Sequence, residues 1–188
     1  MKDYEIIHIE QGGCEHILKR PAKEVPFPLS EEHLNLIQAM SQKFEDDNVA
    51  GLAAPQVGQP WKIILFHVTE TAMEIRENAQ GPVPLTLLIN PSYEPVEEDG
   101  KNNDWEACFS VHSTMGKVDR WNTIYFKGFN SDGEPVEGTA QGFLARLLQH
   151  EIDHVNGVLF IDRLKPENTQ GPMDEMRSMR LRELEVEE

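Results

Sequence analysis

The chain has 188 residues, 39% hydrophobic and 27% charged, which suits one domain with a sizeable core and excludes a disordered tail. Seventeen Lys and Arg stand against 33 Asp and Glu, a formal net charge of −16, which argues against a broad phosphate-binding surface and against direct DNA binding. No apolar run approaches the roughly 20 residues of a bilayer-spanning helix. The N-terminus lacks the basic and apolar parts of a secretory leader, and Cys14 and Cys108 are too few for a disulfide framework. A cytoplasmic protein with no membrane partner is expected.

Residues 1–28 read as an irregular arm, interrupted by Pro21, Pro26 and Pro28. The run from Ser30 to Asp47 predicts a helix, capped by Ser30, with Leu34, Ile37, Met40 and Phe44 at helical spacing and Met40 and Phe44 in the core. Gly51–Pro60 breaks the periodicity, Trp61–Val68 reads as a strand, and 69–84 as a polar connection. A second strand, Leu85–Ile89, is expected to end at Asn90-Pro91, with a further extended piece around Tyr93 and Val96. Lys101–Asp104 predicts a turn, Asn122–Phe129 a third strand, and Ser131–Pro135 a hairpin. A second helix is predicted from near Thr139 to Gly157, and a third within Met173–Glu188. The pattern is that of a single α+β domain over 1–188, with a C-terminal helical extension over about 166–188.

The second helix carries the most specific chemistry. In His150-Glu151-Ile152-Asp153-His154 the two histidines are four apart, so a helix aims both imidazoles at one ion, and Glu151 beside them can take a proton from water. Two histidines leave a ligand missing. Cys108, in Trp-Glu-Ala-Cys-Phe-Ser, is the favoured donor, with Cys14, Glu106, Asp153 and the other histidines as alternatives. The segment Gly51-Leu-Ala-Ala-Pro-Gln-Val-Gly58 lacks the Gly-Lys-Ser/Thr end of a phosphate loop; taken alone it reads as a tight turn carrying a surface Gln56.

Together these segments resemble the peptide deformylases. The resemblance rests on GLAAPQVG at 51–58, EACFS at 106–110 and QHEIDHVNG at 149–157, continues through VLFIDRL at 158–164, and extends back to HILKRPAKEV at 16–25. It implies a compact α+β fold with mixed or antiparallel sheets around a metal-binding helix. It implies Cys108, His150 and His154 as ligands of one divalent ion, Fe2+ favoured and Zn2+, Ni2+ or Co2+ possible. Glu151 would be the general acid/base, and Gln56 and the Phe109 backbone N–H the oxyanion donors. Ala50, Gly51, Ala107, Phe109, Phe143 and Arg146 would border the substrate, with the tip of Arg146 free to be exposed. The implied reaction is removal of the formyl group from the initiator methionine of nascent polypeptides, releasing formate, by a monomeric bacterial enzyme in the cytoplasm that meets the ribosome transiently.

The chain departs from the family pattern at Val49, Ala107, Phe109, His112 and Met115, the last at a position where a basic substrate-contacting residue is frequent. Two other readings follow: a catalytically weak homologue that only binds formyl-peptides, and a broader metallopeptidase. The latter would need room for residues on both sides of the scissile carbonyl. His112 is read as a surface or hydrogen-bonded residue rather than a ligand, Arg120 as the partner of an acid such as Glu106, and Trp105 and Trp121 as packing residues. The acidic C-terminal end, Glu183–Glu188, is expected to be exposed and to oppose tight RNA attachment.

Overall fold

The computed structural model describes residues 4–47, 49–75 and 79–186. In chain order these form α1 (Glu15–Leu18), α2 (Glu31–Asp47), β1 (Gly51–Ala53), β2 (Ile63–Val68), α3 (Glu70–Ile75), β3 (Val83–Pro95), β4 (Lys101–Cys108), β5 (Val111–Trp121), β6 (Thr123–Phe129), β7 (Pro135–Gln141), α4 (Gly142–Val155), β8 (Gln170–Pro172) and α5 (Met173–Val186). The strands make two antiparallel sheets, ordered β1-β2-β3-β6-β7 and β4-β5-β8. This is the α+β class expected.

The five-stranded sheet is covered on both faces, which explains the nearly unbroken apolar run of β2. Ile64, Phe66 and Val68 pack with Leu144, Leu148, Ile152 and Val155 of α4. The alternate residues Ile63 and Leu65 pack with Leu36, Met40 and Phe44 of α2. The Ser30 hydroxyl caps α2 by accepting the His33 N–H at 3.3 Å. The buried face of α2 runs through His33, Leu36, Met40 and Phe44, while Leu34 is 50% exposed. The expected stripe was thus right at Met40 and Phe44 and wrong at Leu34, because His33 is the inward residue of the first turn, its ring edge-on to Trp61.

Four boundaries differ from expectation, three of them because strand pairing overrides local propensity. The connection 69–84, of which 76–78 lie outside the described residues, contains α3. Asn90-Pro91 does not end β3 but forms a bulge: Ile89 and Ser92 both pair with β6, the register shifts between them, and Asn90 takes φ 50°. Lys101–Asp104 is strand, pairing Lys101 with Trp121 and Asn103 with Asp119. The turn precedes it, at Glu97–Gly100. Thr139 lies in β7 opposite Tyr125, and the helix starts only at Gly142.

Candidate metal centre and active site

Helix α4 is gripped from both sides. Its apolar face meets the large sheet, and Gln149 fixes it to the small one by accepting the Trp121 N–H at 3.0 Å and donating to the Trp121 carbonyl at 2.9 Å. It stops at Gly157, which has φ +75° and where a Cβ would lie 2.5 Å from the Arg20 backbone, so glycine is required twice over. The apposition of α4 and the end of β4 brings Cys108, His150 and His154 together. One ligand atom from each lies within 4.8 Å of the others; Cys108 and His154 are buried and His150 is nearly so, its side chain 12% exposed. Cys108 Sγ is 3.3 Å from His154 Nε2.

The donor set fits a transition-metal ion: one soft sulfur and two imidazoles. Glu106 holds the His150 ring at Nδ1, at 2.9 Å, leaving its other nitrogen to the cluster. Burial alone would lower the pKa of His150, but Cys108 and Glu106 override it and raise the value well above the ordinary one. Burial and the neighbouring His150 lower that of His154.

Glu106 is itself the hub of a buried charge network. It accepts from Arg120 Nε and Nη2 at 2.8 and 2.9 Å and from Arg146 Nη1 at 2.7 Å. Arg120 also pairs with Asp153, whose Oδ2 it shares with Arg163. Burial pushes Glu106 upward, but the hydrogen bonds and charge of Arg120 win and hold it far below the usual carboxylate range. Arg146 differs from expectation. Its guanidinium is buried, bonded besides Glu106 to the carbonyls of Val118 at 2.9 Å and Asn102 at 2.8 Å, so no charged tip reaches solvent.

Glu151 is buried beside the cluster, and its Oε2 has no hydrogen-bond partner among the described residues. Burial pushes its pKa up to about 7. Gln56 is not the surface residue that its turn suggested. It is buried, its Oε1 accepts the Ala53 N–H at 2.8 Å, and this fixes Nε2 toward Cys108 Sγ at 3.5 Å. A cavity of about 140 Å³ is bounded by Ala50, Gly51, Gln56, Ala107, Cys108, Phe109, Phe143, Arg146, His150 and Glu151. Met115 lies elsewhere, buried in β5 opposite Gly171. His112 is exposed and paired with His8, their Nε2 atoms 3.1 Å apart. Glu106, expected as a possible ligand or as the partner of Arg120, is that partner and also holds the His150 ring; its adjacency to Ala107-Cys108 was the available signal.

The profile of the Polypeptide deformylase family matches residues 6–170. The chain belongs to that family. It is 41% identical over 170 residues to peptide deformylase 2 of Rickettsia conorii, covering 88% of this chain and 83% of the relative. It is 37% identical over 173 residues to peptide deformylase 2 of Pseudomonas syringae pv. tomato, covering 91% and 94%. Among solved structures, the peptide deformylase of Thermotoga maritima matches with a TM-score of 0.71 at 30% identity, over 88% of this chain and all of that one. The actinonin-bound class I type b peptide deformylase of Acinetobacter baumannii matches with 0.72 at 28% identity, over 88% and 100%. The chain is therefore an enzyme of the deformylase class, which removes N-formyl groups from nascent peptides, and the family is metal-dependent. Nothing in these likenesses favours a binding-only homologue. No helix among the described residues is long and apolar enough to cross a membrane.

Proposed function

We propose that Cys108, His150 and His154 hold one divalent ion, that Glu151 moves the proton, and that Gln56 Nε2 and the Phe109 N–H receive the oxyanion during deformylation of N-formyl-methionyl peptides. The observation that carries this reading is the buried Glu151 carboxyl in the same small cavity as the three-donor cluster and the Gln56 amide. An ion bound by these donors supplies the acidity that makes water nucleophilic at neutral pH. Glu151 accepts the proton of the attacking water at a carboxylate oxygen and returns it to the leaving amine nitrogen. A carboxyl raised by burial to about 7 serves both steps near neutrality. Gln56 and Phe109 donate to the formyl oxygen as its carbon becomes tetrahedral. Formate and a free N-terminal methionine result.

Ala50, Gly51, Ala107 and Phe109 line the path of the peptide backbone, and Phe143 and Arg146 the side-chain pocket. The Arg146 charge is absorbed by Glu106 and backbone carbonyls, so the methionine side chain meets a wall without free charge. Residues 1–188 act as one catalytic unit, to which the C-terminal helix is an extension. The resident ion we favour is Fe2+, on family resemblance; Zn2+, Ni2+ and Co2+ suit the same donors. The enzyme is proposed to work as a monomer in the bacterial cytoplasm, meeting the ribosome transiently.

The test compares formyl-Met-Ala-Ser, acetyl-Met-Ala-Ser and an internal peptide under low oxygen, with apo-protein reconstituted with Fe2+ or Zn2+ at matched occupancy. Turnover of the formyl peptide alone, faster with Fe2+, is the expected result. Equal cleavage of the acetyl or internal peptide would reject the reaction, and equal or greater turnover with Zn2+ would reject the iron preference alone.

A further inference from the structure

We infer that residues 7–10 of the N-terminal arm form a strap that positions the oxyanion-binding backbone, with His8 and Glu10 as positioning residues. The inference rests on the reading of Gln56 and Phe109 as oxyanion donors. Four successive residues reach both donor segments. The Ile7 N–H donates to the Gln56 carbonyl at 2.8 Å, and the Ile9 N–H to the Ser110 carbonyl at 3.0 Å. His8 Nδ1 meets the Phe109 carbonyl at 2.8 Å. One oxygen of Glu10 accepts from the His112 N–H, the Ser113 N–H and the Ser113 hydroxyl at 3.0, 3.0 and 2.8 Å. The Ile9 side chain packs into the apolar cluster that contains Cys108.

The chemistry fixes the direction of each bond. A carbonyl only accepts, so His8 carries its proton on Nδ1, and in the neutral ring Nε2 is left to accept from His112 Nε2 at 3.1 Å. Gly12 and Gly13, at φ +68° and +76°, let the chain leave the strap at once toward α1. On the other side, the Ser110 N–H donates to Cys108 Sγ at 3.4 Å. The peptide unit between Phe109 and Ser110 is thus held at both ends, its oxygen by His8 and its N–H by the cluster sulfur. A peptide plane held in this way constrains the torsions of Phe109, and with them the direction of the Phe109 N–H. Oxyanion donors act through preorganisation, so loosening this plane should slow the chemical step more than it weakens substrate binding.

The test uses the full-length, metal-loaded protein and the variants H8L, H8N and Q56A, with formyl-Met-Ala-Ser as substrate and metal content measured on each preparation. For H8L, kcat should fall about tenfold, less than the roughly 10²–10³ that deletion of an oxyanion donor costs, while KM stays within about twofold. H8N should recover most of the rate, because its side-chain amide can donate from the position of Nδ1. Independently of activity, amide hydrogen exchange across 109–113 should be faster in H8L and slow again in H8N. A wild-type kcat in H8L, a loss confined to KM, or an equal loss in H8N with 109–113 still protected would overturn the strap. If Q56A is slow while H8L is not, the strap fails and the oxyanion reading stands. If Q56A itself turns over as wild type, the oxyanion reading fails and takes the strap with it.

Discussion

Two neighbouring residues show how closely side-chain chemistry and space are matched at the site. Gly51 is strand backbone without a positive φ, so its lack of a side chain is not there for conformational freedom. A Cβ at that position would lie 2.2 Å from Glu151 Oε1 and 2.6 Å from its Cδ. Glycine is needed because the carboxyl occupies the space. Gly51→Ala should therefore displace the Glu151 head while leaving Cys108, His150 and His154 where they are, keeping metal content and cutting turnover by about 10²-fold, the usual scale of a lost general base. Glu151→Gln should give a similar or larger fall for the chemical reason, since an amide cannot accept the proton of water. Metal content and kcat measured on the same preparations check both. A fully metallated Gly51→Ala enzyme with wild-type turnover would show that Glu151 tolerates displacement, and the same result for Glu151→Gln would remove it from proton transfer.

Among the elements, those whose information is local were readable from the chain and those defined by distant partners were not. The His150/His154 pair needs only a helix to converge, and α4 is strongly amphipathic. Cys108 was the favoured third donor on its chemistry, with alternatives left open, and Gln56 stood out only through the family motif, since Cys108 meets the histidines only where β4 packs against α4. Asn102 and Asn103 look like turn residues until Arg120 and Asp119 pair with them across the ladder. Helix α5 gives the clearest case. Its acidic end was expected to be free, and Glu187 and Glu188 lie outside the described residues. Glu183, however, accepts the Trp105 indole N–H at 2.7 Å and pairs with Lys117 at 3.0 Å, tying α5 to the small sheet beside the cavity. These contacts, the indole bond first, lower the Glu183 pKa below its ordinary 4.5. A depressed carboxylate contributes stability that is complete above the ordinary value and is lost as pH falls through the folded value. The tie should therefore hold throughout the neutral range and break only below about pH 4.5. Trp fluorescence followed from pH 7 downward should show an acid transition in the wild type that is missing from Glu183→Gln. An identical transition in both would mean that the helix is held by other contacts.

At the scale of the whole molecule, the net charge of −16 conceals how charge is distributed. The acids facing solvent set the overall sign, while the interior beside the cluster holds Glu106 and Asp153 opposite Arg120 and Arg146, and the exposed Arg163 reaches Asp153 from the surface. The family resemblance anticipated the Arg120–Glu106 pair, but no local pattern announces the rest, because its members come from β4, β5, α4 and the segment after α4 and two of its links join residues far apart in the chain, Arg120 to Asp153 and Arg146 to Glu106. Arg120 is its bridge, the side chain that joins Glu106, and through it His150, to Asp153 on the same helix as both histidines. Replacing one partner of a buried pair leaves the other charge without compensation and costs roughly 3–5 kcal/mol. Because Arg146 and Arg163 remain as second partners, Arg120→Met should lie near the lower end, about 3 kcal/mol at pH 7. The pH dependence follows from Glu106, whose folded value is held below its ordinary 4.5. In the wild type its stabilising contribution is complete above that value and declines as pH falls toward the folded one. In the variant the carboxyl, left with Arg146 and His150, is held down less and protonates earlier, which relieves part of its uncompensated charge. The stability gap between the two proteins should then be widest at neutral pH and should narrow below about pH 4.5. Urea unfolding at pH 7 and at pH 4, on preparations of equal metal content, measures the gap directly. A gap that is absent at pH 7, or that widens in acid, would mean that Glu106 does not depend on Arg120 for its charge.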